Sequence, residues 1–159
     1  MKIHALLLFV TSLPLSAFVH ADNLPVAADA PPAFKTECGS CHIAFPASLL
    51  TANDWRNIMA KLDKHYGDNA SLDDKPRQDI EAFLVAHGGA GKKTSGAGDP
   101  PRITNTYWFN REHRKVPGKI WKDPTIASAA NCGGCHNRAS EGRFGEREIV
   151  MPGGKKQED

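Results

Sequence analysis

The chain has 159 residues, room for one ordinary domain or two very small ones, and 40% of it is hydrophobic with 14 Gly and 11 Pro. That mix suits a compact, loop-rich globule and excludes a disordered tail or a sheet-rich barrel. Lys and Arg total 20 against 18 for Asp and Glu, a formal charge of +2, which is not the strongly basic balance of a nucleic-acid binder, so no nucleic-acid partner is expected.

Residues 1–21 read as a secretory signal peptide. Met1-Lys2-Ile3-His4 is a short basic start, the run 5–19 is apolar, and Val19-His20-Ala21 is a small-residue cleavage site before polar Asp22-Asn23. Pro14, Thr11, Ser12 and Ser16 leave the apolar run short of the roughly 20 residues that span a bilayer. Cleavage after Ala21 is therefore favoured over a retained anchor, and the mature protein is expected to be exported.

Residues 22–32 are rich in Pro and Ala and read as a loose lead-in. The next stretch, 34–42, suits a short helix ending at Cys38-Gly39-Ser40-Cys41-His42. The same frame returns as Cys132-Gly133-Gly134-Cys135-His136. Each reads C-x-x-C-H, the attachment signature of c-type haem. Two thiols three positions apart can each add to one haem vinyl group, and the following His is carried under the macrocycle to offer a ring nitrogen to iron. A four-Cys zinc site usually places its pairs about 15–20 residues apart, whereas 90 residues separate Cys41 from Cys132. Plain disulfides would not explain a His after each pair, and a thioredoxin-like pair needs a βαβ context that the chain lacks. Two haem c groups held by Cys38, Cys41, Cys132 and Cys135 are the expected cofactors.

Between the motifs, Thr51 and Asp54 mark a helix start. Trp55, Ile58, Met59, Leu62 and Tyr66 then fall at helical spacing, up to Gly67. A second helix is predicted from about Asp74, with Pro76 in its first turn, Ile80, Phe83, Leu84 and His87 on its inner face, and Gly88-Gly89 at its end. Residues 90–101 have the composition of a linker. In the C-terminal half, Asp123-Pro124 predicts a short helix leading into Cys132, and the chain beyond His136 is expected to be irregular. The expected fold is mainly α: a class I cytochrome c-like helical domain over 22–89 and a small, largely irregular haem domain over 102–159. Halves of this size bury little core alone, so a covalently held porphyrin is part of each.

His42 and His136 are the motif ligands. For the second axial position of the C-terminal haem, His113 is the only spare His in that half, with Met151 as a sulfur alternative. In the N-terminal half His65 is favoured, because it lies in the segment before the final helix. His87 and Met59 remain alternatives; His87 also suits a helix-end cap, and Met59 also reads as core.

These residues together resemble the dihaem cytochrome c (DHC) family. The resemblance rests on CGSCH, Trp55 with His65-Tyr66-Gly67, the run Trp108-Phe109-Asn110-Arg111-Glu112-His113, then Asn131-CGGCH with Ala139, Gly142, Phe144 and Pro152. It covers about residues 34–152, and departs at Tyr66, where Phe is expected. The resemblance implies a periplasmic, low-potential electron carrier, bis-histidine at both haems through His65 and His113. It also implies redox partner proteins: an oxygen-binding monohaem cytochrome called SHP and membrane b-type cytochromes. A monomer is expected.

Electron transfer needs no substrate pocket and two six-coordinate irons. The alternative, a peroxidase-like dihaem enzyme or a gas-binding haem protein, needs an open iron position. Two suitably placed spare histidines argue for filled positions and against an enzyme. Arg111, Arg114, Lys115, Lys119 and Lys122 form a basic stretch that reads equally as a docking patch or a solvated face.

Overall fold

The structure, a computed structural model, describes residues 23–154. The expected leader, 1–21, lies outside the described residues. The fold is mainly α, as the sequence predicts: four short α-helices and several single 3₁₀ turns, with only isolated β-bridges and no sheet among the described residues.

Helix α1, Pro32–Cys38, begins with Pro at its first position, where a missing N–H costs nothing. It stops four residues short of the predicted end. Gly39 is the reason: its N–H bonds to the Lys35 carbonyl, and a Cβ there would sit 2.2 Å from that oxygen. The Ser40 hydroxyl then donates to the Glu37 carbonyl at 2.9 Å, and Cys41 and His42 leave the helix.

Helix α2, Ala52–Met59, starts at the predicted cap. The Thr51 hydroxyl accepts the Asp54 N–H, and the Asp54 carboxylate accepts the Thr51 N–H, both at 3.1 Å. Trp55 and Met59, one turn apart, face the core, and the Trp55 indole donates to the Ala47 carbonyl at 2.7 Å. The helix does not run on to Gly67 as its spacing predicts. Beyond Met59 the large apolar positions thin to Leu62 and Tyr66, and the chain tightens into the 3₁₀ turn Leu62–Lys64. Tyr66 and Gly67 then take φ of +54° and +112°, and the Asp68 N–H closes a turn on the His65 carbonyl at 3.0 Å.

Helix α3, Asp74–Ala86, runs as predicted and packs against α2 through Ile80, Phe83 and Leu84. The Phe83 ring lies 4.9 Å from that of Phe34 on α1. These residues, with Leu50, Trp55 and Met59, form the first core.

Residues 90–101, a linker by composition, are packed. Thr94 and Ala97 are buried, and just before the segment the Gly89 N–H bonds to the Leu50 carbonyl at 2.8 Å. The Ser95 carbonyl accepts the Tyr107 N–H at 2.8 Å, just inside α4, Tyr107–Glu112. Here Gly and Pro mark tight turns rather than looseness.

Helix α4 was not predicted; it is only six residues long, too short to show a period. Thr106, fully buried, caps it by accepting the Phe109 N–H at 3.2 Å. The predicted helix after Asp123-Pro124 does not form. Asp123 accepts the Thr125 N–H and hydroxyl, which makes a turn, and Ala127 at φ +57° breaks any continuation. Leu24, Leu49, Trp108 and Phe109 form the second core. Leu49 and Leu50, adjacent in sequence, thus serve different cores. The lead-in is not loose either: the Leu24 N–H bonds to the Gly142 carbonyl at 2.8 Å.

Candidate functional site

Two histidine pairs face each other across gaps of equal width. The ring centroids of His42 and His65 are 6.2 Å apart, and those of His113 and His136 are also 6.2 Å apart. Two metal–imidazole bonds of about 2 Å each, plus the half-widths of two rings, fill such a gap. His42 sits just past the end of α1 and His65 at the turn after the Leu62–Lys64 segment. His113 is the C-cap of α4, and His136 ends a one-turn loop in which its N–H bonds to the Cys132 carbonyl at 2.8 Å.

The ring nitrogens are set for ligation. His42 Nδ1 lies 2.7 Å from the Ile43 carbonyl and His113 Nδ1 2.8 Å from that of Phe109. A carbonyl can only accept, so each Nδ1 carries the proton and leaves the Nε2 lone pair for a metal. His136 Nδ1 is buried with no partner. Burial, and then the neighbouring histidine, holds His65 and His136 below the usual imidazole range, which favours the neutral, ligating form.

Aromatic rings wall both sites. Phe45 stacks on His42 at 4.6 Å and Tyr66 stands edge-on to His65 at 4.8 Å. Phe109 stacks on His113 at 4.0 Å, with Trp121 5.8 Å away, and Phe144 lies edge-on to His136 at 5.4 Å. No local pattern in the sequence marks Phe45 or Trp121 for these sites. Phe109, part of the run that carries the family resemblance, stands one helical turn before His113.

The other candidate ligands are otherwise engaged or undistinguished. His87 caps α3, its Nε2 bonded to Asp29 at 2.9 Å and its ring against Phe83. Met59 is buried in the first core. Met151 lies just beyond the segment whose Ile149 bridges to His136.

The four cysteines form no disulfide. Burial pushes the Cys38 and Cys132 thiols each up to about 11 and raises that of Cys135. These are apolar seats, suited to neutral thiols and to thioethers. Among the described residues no three of His, Cys, Asp and Glu converge on one point. Opposed pairs of imidazoles without further donors fit a metal whose remaining ligands come from a macrocycle, and do not fit a zinc site.

Comparison with known proteins gives the family. Residues 34–144, well over half of the chain, match the dihaem cytochrome c family, DHC. The chain belongs to this family. A comparison with the curated proteins returned no match. Among solved structures, it is similar to the dihaem cytochrome c of Shewanella baltica OS155, at 39% identity over 79% of this chain and 95% of that one, with a TM-score of 0.69. It is also similar to the DHC purified from Rhodobacter sphaeroides, at 40% identity over 75% of this chain and 99% of that one, with a TM-score of 0.63. As a dihaem cytochrome c the protein takes two c-type haems, its four cysteines suit their covalent attachment, and by family it is a carrier of electrons. Among the described residues no helix is long and apolar enough to cross a membrane.

Proposed function

We propose that this dihaem cytochrome c is a periplasmic, low-potential electron carrier in which His42 with His65, and His136 with His113, fill both axial positions of each iron. The observation that carries the reading is the pair of 6.2 Å gaps between facing imidazoles. Each haem, once bound, supplies a reversible one-electron couple at its iron. The chain's own residues do the rest. Cys38, Cys41, Cys132 and Cys135 tether the two groups, and the Ile43 and Phe109 carbonyls fix the tautomer and aim of His42 and His113. Phe45, Phe109, Trp121 and Phe144 keep water from the metal-facing rings.

Imidazole pairs stabilise ferric iron relative to a His/Met set, so both potentials belong below those of His/Met cytochromes c. With both positions filled, a peroxidase or gas-binding role has no open coordination site to use. By resemblance, the donor is a membrane b-type cytochrome and the acceptor an oxygen-binding monohaem cytochrome of the SHP type. The export signal read in residues 1–21 supports the periplasm. A redox titration of the purified holoprotein tests the ligation. Two one-electron steps, both negative against hydrogen, are expected. A haem that titrates at clearly positive potential would replace one proposed histidine with Met59 or Met151.

A further inference from the structure

The two histidine pairs share a spacing but not an attitude. The rings of His42 and His65 are inclined by 28°, close to parallel, whereas those of His113 and His136 cross at 84°. Hydrogen bonding does not separate the pairs, because each has one ring braced through Nδ1 to a backbone carbonyl, His42 in the first and His113 in the second. The ring planes do. The filled π orbitals of an imidazole project perpendicular to its plane and overlap only one of the two π-type d orbitals of an iron. Parallel rings act on the same d orbital and split the two in energy. Crossed rings act on one each and leave them nearly equal.

Resting on the four-histidine ligation above, we propose that the two haems are electronically inequivalent by construction, parallel-ligated at Cys38–His42 and cross-ligated at Cys132–His136, and that the second is the more readily reduced. In the parallel pair the ferric hole occupies the raised orbital, which stabilises the oxidised state; the crossed pair lacks that gain. Aromatic neighbours hold each attitude. Phe45 lies within 26° of the plane of His42, and Phe109 within 21° of the plane of His113. Phe109 fixes His113 twice over, with its ring on the imidazole face and its carbonyl on Nδ1. It is a positioning residue for the second site.

Electron paramagnetic resonance of the frozen ferric holoprotein, followed along a redox titration, tests this. Two low-spin signals are expected, one rhombic and one highly anisotropic with a large maximum g value, and the anisotropic one should vanish first as the potential falls. Phe109→Leu should move the anisotropic signal and leave the rhombic one in place; should that variant fail to hold its haem, Trp121→Phe makes the same test more gently. Two signals of one type would overturn the inequivalence, and earlier loss of the rhombic signal would overturn the order of reduction. A high-spin signal, or the near-infrared band of thioether-ligated iron, in the wild type would instead break the ligation beneath the proposal, and the proposal with it.

Discussion

Among single residues, ligation depends on which imidazoles face one another. His65 faces His42 and His113 faces His136, while His87 is held by Asp29 at the end of α3. His65→Ala and His113→Ala should therefore each turn one haem of the two, about half of the absorbance, to a high-spin form that binds carbon monoxide. His87→Ala should leave the low-spin spectrum unchanged. Visible spectra of the three variants check this, and an opened first haem in His87→Ala would exchange the roles of His65 and His87. The motif residues were legible because C-x-x-C-H is a local pattern with its chemistry written in five positions. The surroundings of His65 were less so. Its place after a broken helix depends on Tyr66 adopting a left-handed φ, and on the Tyr66 hydroxyl bonding to the Pro101 carbonyl while Arg102 lies over the ring at 4.4 Å. Both partners are some 35 positions away in the chain, beyond the range of any local spacing.

At the scale of elements, caps and stops decide where the ligands land. The box at Thr51 and Asp54 was legible because its two residues are read together. The cap at Thr106 was not, because α4 carries no matching acid at its third position and is too short for a hydrophobic period. Yet α4 is the element that presents His113. Thr106 is fully buried, bonds to the Ile103 carbonyl at 2.7 Å and accepts the Phe109 N–H. Thr106→Ala should cost about 1–2 kcal/mol, measured by urea unfolding of the holoprotein, whereas Thr106→Ser should recover most of it. A neutral Thr106→Ala would mean that α4 is held by packing of Trp108 and Phe109 alone. The helix predicted before Cys132 failed for a related reason: Asp123-Pro124 serves equally as a helix start and as a turn, and Ala127 settles the choice only in three dimensions.

At the scale of the molecule, the halves are joined in a way that composition hides. Residues 90–101 bind back to the first core, Leu49 crosses to the second, and the lead-in latches onto the C-terminal half through Leu24 and Gly142. Gly142 has φ +73°, and a Cβ there would meet the Leu24 carbonyl oxygen at 2.6 Å. Gly142→Ala should thus lose about 1–3 kcal/mol from backbone strain alone, before the clash is counted. Leu24→Ala, which empties a buried side chain against Trp108 and Phe109, should lose about 2 kcal/mol or more. Thermal unfolding of the two variants checks both, with the second haem expected to lose its low-spin spectrum first. Leu24 lies outside the matched residues 34–144, so the latch is an addition to what the family match covers. The helical plan of the first half was legible because its amphipathic faces are local; the latch was not, because it joins residues 118 positions apart.

In the proposed ligation, histidine pairs leave no free position on either iron. The most direct test is the visible spectrum of the fully reduced wild-type holoprotein before and after carbon monoxide is added. Two low-spin haems are expected, with a spectrum that carbon monoxide leaves unchanged. Prompt conversion of either haem to its carbon monoxide form would contradict it.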